Sequence, residues 1–262
     1  MNLITAALLG ALQGVTEFLP VSSTAHLKIA ERLLGFEDPG SVFTITIQFG
    51  SILAVMWLYR AKILSVVRGL PSDPDARRFA FMLVAAMVPA VVLALLLEDR
   101  IKVLHDSMFV IAVAFVIGGI VMLVVERWRP APVVTRADQT PLGRAVGVGA
   151  FQAVALVPGV SRSGATIVGG MLLGLDRPAA AELSFFLAMP TMAAAFAHDV
   201  WKVRHQLATE RGAEIAVGFV FAFLAALVVV KPFLRFVGRS GFAPFAWYRI
   251  ALGVGMLVWL LV

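Results

Sequence analysis

The sequence predicts an all-α polytopic membrane protein arranged as an inverted-topology repeat, and three observations carry that prediction. The first is composition: 262 residues, 60% of them hydrophobic and 15% charged, with a mean hydropathy of +0.93, lie far from a soluble globular domain. The second is a series of uncharged apolar runs long enough to cross a bilayer. The third is a polar motif present twice, starting at Gln13 and Gln152, whose copies align without a gap. The alignment lays Ser22 on Ser161, Ser23 on Arg162 and Thr24 on Ser163.

A net charge of +6 would fit nucleic acid in a soluble chain, but here Lys and Arg collect in the gaps between apolar runs, as topology signals do. No nucleic-acid partner is expected, and the lipid bilayer is the environment. There is no cysteine, which excludes disulfides and thiolate metal sites. No lysine-led signal peptide opens the chain, so its N-terminus is expected to persist.

Residues 3–16 and 21–35 are short apolar helical runs broken at Pro20, each about 21 Å long at 1.5 Å per residue. Neither crosses a hydrocarbon core of about 30 Å. A re-entrant hairpin with a polar tip at membrane depth fits, because such backbone is tolerated where protein buries it or a wet cavity receives it. The alternative is one long kinked span. Phe43–Tyr59 is the first full span, with Gln48 its one strongly polar side chain, expected to serve packing or secondary support. A loop from Arg60 to Arg78 with five Lys or Arg residues follows. Phe79–Leu97 and Ser107–Val125 each cross once, joined by a short link with Arg100 and Lys102. The next loop, Glu126 to Arg144, is Pro-rich and carries four Arg residues.

The second half repeats the order: short runs at Leu142–Val157 and Gly164–Leu175, then spans near Pro178–Ala197, Ile215–Val230 and Pro244–Val262. Each half is thus one re-entrant hairpin plus three spans, six spans in total. The chain is expected to be one membrane domain, 1–262, with repeat 1 over about 1–127, a cytoplasmic linker at 128–141 and repeat 2 over about 142–262. Three spans per half is odd, so the halves enter the membrane in opposite senses, and their broken helices meet near the midplane. With the basic loops at Arg60–Arg78 and Arg127–Arg144 cytoplasmic, both termini fall outside. The loop with Lys202, Arg204 and Arg211 then also falls outside, against the bias.

Both broken helices restart at a serine, Ser22 and Ser161, a preferred N-cap residue. Two facing helix N-termini, each with unpaired N–H groups and the positive dipole end, suit a phosphate or diphosphate. Arg162 adds a guanidinium fork for phosphate oxygens. Ser23 and His26 are three apart on one helix face, within reach of each other or of one ligand, and a hydroxyl beside an imidazole is a minimal activated nucleophile. Gln13 and Glu17, four apart, also share a face, and their oxygens suit a divalent cation that contacts substrate phosphates. A carboxylate within a membrane is costly and usually functional. Glu182 and Arg249 are expected to be structural pairs, and the glycines, Gly118-Gly119 among them, to be sites of close helix packing.

Gln13-x-x-x-Glu17 followed by Phe-Leu-Pro-Val-Ser-Ser-Thr-Ala-His26, together with Pro158-Gly-Val-Ser-Arg-Ser-Gly-Ala-Thr166, resembles the bacterial undecaprenyl-pyrophosphate phosphatase family, the BacA or bacitracin-resistance proteins. The resemblance runs nearly end to end and includes Ile47–Val55, Ala181–Pro190 and Pro244–Arg249. It implies hydrolysis of undecaprenyl diphosphate to undecaprenyl phosphate and inorganic phosphate, which recycles the lipid carrier of cell-wall synthesis. The reaction is implied at the outer face of the bacterial inner membrane, with a divalent cation, Mg2+ or Ca2+, as cofactor. By position it makes Glu17 and with it Gln13 metal or acid/base groups, Gln13 also a substrate contact, Ser23 the nucleophile with His26 as its base, and Arg162 the phosphate clamp. Ser22, Thr24, Ser161, Ser163 and Thr166 become supporting phosphate contacts. His26 as the nucleophile is the alternative. Many members carry glutamate where this chain has Gln13, so a cation held by two protein carboxylates is not expected here, and the lipid diphosphate completes the coordination. A homodimer is compatible with the sequence.

Two other readings compete. A lipid-phosphate flippase would use the same anion site without cleaving a bond. A type-2 phosphatidic-acid phosphatase would need Pro-Ser-Gly-His and a Ser-Arg followed six residues later by His, where this chain has Val168.

Overall fold

Asn2 opens the first helix: its side-chain oxygen accepts from the Thr5 N–H at 2.8 Å, which caps α1 (Leu3–Thr16). The computed structural model describes residues 2–36, 38, 41–105, 107–203 and 211–261. The chain leaves the helix before Pro20 and restarts as α2 (Ser23–Leu34), which ends at Gly35 in the left-handed conformation that glycine tolerates. α3 (Val42–Leu58) bends by 73° at Tyr59 into α4 (Arg60–Gly69). α5 (Pro74–His105) begins with proline, whose missing N–H costs nothing in a first turn. α6 (Met108–Trp128) is capped by Ser107, whose hydroxyl oxygen accepts from the Val110 N–H. After the linker come α7 (Leu142–Val154), α8 (Arg162–Leu172), α9 (Arg177–Val203), α10 (Gly212–Ser240) and α11 (Ala243–Leu261).

α5, α6, α9, α10 and α11 are each long and apolar enough to span, and the bent pair α3–α4 makes a sixth. The all-α polytopic class is therefore what the chain adopts. α1, α2, α7 and α8, at 14, 12, 13 and 11 residues, are too short to cross. Outward faces carry large apolar side chains, such as Leu95, Leu96, Val228 and Leu261, which suits hydrocarbon rather than water.

Two stretches differ from the sequence expectation. Residues 60–69, expected as loop, form α4, because Arg60, Lys62 and Arg68 can point outward while Ile63 and Val66 pack on the core. The link with Arg100 and Lys102 is the last part of α5 rather than a separate connection. Of the expected loop with Lys202, Arg204 and Arg211, Lys202 belongs to the last turn of α9 and Arg211 precedes α10, while residues 204–210 lie outside the described residues.

The halves pack reciprocally. α1 lies along α10, while α7 lies along α5, so the first hairpin helix of each half packs on the second span of the other. Glycine permits both approaches: a Cβ on Gly10 would collide with the Gly218 carbonyl oxygen, and one on Gly149 with that of Ala86. α6 and α11, the last helix of each half, pack on one another. The linker is tied down as well. Val133 and Val134 N–H groups donate to the Gly174 carbonyl, and the Asp176 N–H donates back to Val134. Lys62 on α4 reaches Asp138 of the linker at 2.6 Å, so both basic segments lie on one side of the protein.

Candidate active site

The site is built where the two hairpins turn. Ser22 and Ser161 both take positive φ, 66° and 76°, a conformation that costs a residue with a Cβ on the order of 1–3 kcal/mol. This backbone state is common to positions the sequence alignment superimposes, and the first turns of α2 and α8 line one space. Among the described residues, the backbone N–H groups of Ser22, Ser23 and Thr24, and of Ser161, Arg162 and Ser163, find no protein acceptor. Between the turns is a polar cavity of about 180 Å³, lined by Glu17, Ser22, Ser23, Thr24, Gln48, Ser161 and Arg162, with Ala155, Pro158, Gly159 and Met192 closing it.

Glu17, 6% exposed, lines it and joins the two halves. Its Oε2 accepts from the Ser23 hydroxyl at 2.6 Å and from the Gln13 amide at 2.8 Å. Its Oε1 accepts from Arg162 Nη2 at 2.8 Å, an ion pair between the two halves. Arg162 is held further by the Ser184 carbonyl at 3.2 Å, by Met192 sulfur and by the face of Phe18, and its Nε has no partner. Phe18 is seated in turn against the edge of Phe185. A carboxylate thus holds the proton of a serine hydroxyl while a guanidinium balances its charge.

Other predicted residues fall elsewhere. The expected Ser23–His26 pair does not form. His26 Nδ1 lies 2.8 Å from the Ser22 carbonyl and Nε2 lies 2.6 Å from the Tyr248 hydroxyl, with the two rings stacked. The helical turn carries the imidazole toward α11, and Glu17 takes the place beside Ser23. The Ser163 hydroxyl donates to the Leu19 carbonyl at 2.7 Å, a second bond between the halves, and Thr166 bonds the Arg162 carbonyl and Ser184. Both hydroxyls are engaged in scaffold and do not line the cavity. Ser161 caps the Gly164 N–H at 3.1 Å, whereas the Ser22 side chain makes no cap bond. Gln48, expected as a packing or supporting group, lines the cavity. Tyr248 was visible in the sequence only as part of the Pro244–Arg249 motif.

A divalent cation does not find a ready cage here. Among the described residues, no three His, Cys, Asp or Glu side chains converge, and both Glu17 oxygens already accept hydrogen bonds.

The profile for "Bacitracin resistance protein BacA" matches residues 6–255, nearly the whole chain. The chain belongs to the BacA family. An undecaprenyl-diphosphatase of Cereibacter sphaeroides is 50% identical over 251 residues, 95% of this chain and 94% of its own. Undecaprenyl-diphosphatase 1 of Agrobacterium fabrum is 48% identical over 262 residues, 100% of this chain and 98% of its own. The undecaprenyl-diphosphatase of Paracoccus denitrificans is 47% identical over 258 residues, 98% and 97% of the two chains. Such coverage places the polar cavity of this BacA-family chain within the part it shares with those relatives.

Proposed function

We infer that the chain is an integral-membrane undecaprenyl diphosphatase, releasing inorganic phosphate from undecaprenyl diphosphate and returning undecaprenyl phosphate to cell-wall synthesis. The observation that carries this reading is the Ser23 hydroxyl at 2.6 Å from Glu17, with Arg162 on the other carboxylate oxygen, inside a cavity lined by residues of both turns whose backbone N–H groups have no protein acceptor among the described residues. The names of its relatives give the same activity. The N–H groups of both turns and the Arg162 fork receive the phosphates. Ser23 Oγ attacks the terminal phosphorus as Glu17 takes its proton, the bond from that phosphorus to the bridging oxygen breaks, and undecaprenyl phosphate leaves. Glu17 passes that proton to the departing undecaprenyl phosphate, then deprotonates a water that attacks the phosphoserine and returns the proton to the leaving serine oxygen, which frees phosphate and restores the Ser23 hydroxyl. No step needs His26 as the base, since its Nδ1 is bonded to the Ser22 carbonyl.

We further place the protein in the bacterial inner membrane with the site open to the periplasm and both termini outside. The shared side of the two basic segments, joined by Lys62 and Asp138, supports that topology, and the reciprocal packing supports oppositely inserted halves.

The test is phosphate release from a prenyl diphosphate by detergent-purified protein. Release by wild type and its loss in Ser23→Ala of the same folded yield is the expected result. A folded wild type that releases nothing overturns the reading and favours lipid transport through the same cavity.

A further inference from the structure

Arg249 lies where the two hairpin turns meet, and it is only 1% exposed. Its Nη1 donates to the Pro20 carbonyl at 3.1 Å and the Val160 carbonyl at 2.8 Å. Its Nη2 donates to Ala114 of α6 at 3.1 Å and to Gly159 at 3.0 Å. The expected structural pairing with a carboxylate does not occur among the described residues. Four carbonyl dipoles and the face of Phe115 carry the charge instead. Gly118 leaves room for the guanidinium, because a Cβ there would collide with Nη2.

A buried cation without a counter-ion is costly, so its geometry has to return something. One consequence lies in the peptide plane between Val160 and Ser161. No cis peptide bond occurs among the described residues, so the Ser161 N–H points opposite to the Val160 carbonyl that Arg249 holds. Ser161 lines the polar cavity, and its N–H has no protein acceptor among the described residues. A hydrogen bond on the carbonyl also polarises the N–H at the other end of the same amide.

We propose that Arg249 is a positioning residue: it fastens the Pro20 and Gly159–Val160 turns to one guanidinium and thereby aims the Ser161 N–H at phosphate in the cavity. This rests on the phosphatase reading of that cavity. Lysine cannot replace it, because one ammonium is a compact point charge and not a fork that spans four acceptors.

The test compares wild type, Arg249→Lys, Gly118→Ala and the double variant, with Gly255→Ala as control, since Gly255 shares α11 with Arg249 and a Cβ on it meets nothing within 4 Å. Phosphate release is measured per folded molecule. Both single variants are expected to lose at least about tenfold in kcat with KM within about threefold, because donors aimed at developing charge matter more in the transition state than in binding. The double variant is expected to fall no further than Arg249→Lys, because both changes act through one group. Wild-type kcat per folded molecule in Arg249→Lys or Gly118→Ala, with only folded yield or Tm reduced, overturns the proposal, as do additive losses. If Arg249→Lys does not fold, Gly118→Ala decides alone. A wild type that releases no phosphate fails the phosphatase reading first and this proposal with it; active wild type with unaffected variants fails this proposal only.

Discussion

The imidazole Nε2 of His26 lies 2.6 Å from the Tyr248 hydroxyl, joining the first hairpin to the last helix across 222 positions of sequence. A carbonyl can only accept, so the Nδ1 that faces Ser22 carries the hydrogen, and in the neutral ring Nε2 accepts from the tyrosine. The imidazole therefore holds the strained serine turn from one side. Tyr248→Phe keeps that hold and is expected to lower kcat/KM by less than about tenfold, while His26→Ala releases it and should cost about a hundredfold. Steady-state kinetics on both variants check this; equal losses would give the Nε2–hydroxyl bond a part in the chemistry.

Glu17 and Arg162 separate stability from turnover. Glu17→Ala strands a buried guanidinium and is expected to destabilise by about 3–5 kcal/mol, as breaking a buried pair does. Glu17→Gln with Arg162→Met removes both charges and should recover most of the lost Tm. Neither variant is expected to retain more than about one part in a hundred of the activity, since the first lacks the proposed base and the second lacks both the proposed base and the proposed phosphate clamp. Thermal melts beside phosphate release decide it.

Because no protein cage for a divalent cation is built among the described residues, a chelator should leave the Tm of the substrate-free protein unchanged, whatever it does to turnover. A chelator-induced fall in Tm of several degrees would reveal a resident cation.

The linker gives a pH signature. Partial burial raises the Asp138 carboxyl, but hydrogen bonds and charge from Lys62 and Arg136 outweigh it and hold it below its usual value. A depressed folded value stabilises above the unfolded value of about 3.9 and loses that stabilisation as pH falls through the folded value. The pair is partly exposed, so its worth is about 1 kcal/mol or less. Asp138→Asn is expected to lower Tm by about 2 °C at neutral pH, with the difference vanishing in strong acid and phosphate release unchanged.

Much of this was legible in the chain. The break at Pro20, the serine restarts and the length of each span follow from local rules, and Gln13-x-x-x-Glu17 fixed two side chains on one face. The contact of Glu17 with Ser23 was not, since it depends on how far the turn folds back. Tyr248 and Arg249 act across more than 200 positions, on a helix whose pattern says only that it is apolar. Arg249 also takes backbone acceptors, which leave no residue signature. α4 was hidden because its charges read as a loop.

Among the described residues that line the cavity, the one guanidinium, that of Arg162, is already paired with the one carboxylate, that of Glu17. On the phosphatase reading, an arriving diphosphate competes for that guanidinium, and its gain frees the carboxylate to accept a proton at the moment substrate is in place. The exchange runs backwards when phosphate is formed: as Glu17 reclaims Arg162, the product loses its strongest ligand. On that reading the resting ion pair is expected to act as a latch that opens for substrate and expels product, so free phosphate should inhibit only weakly.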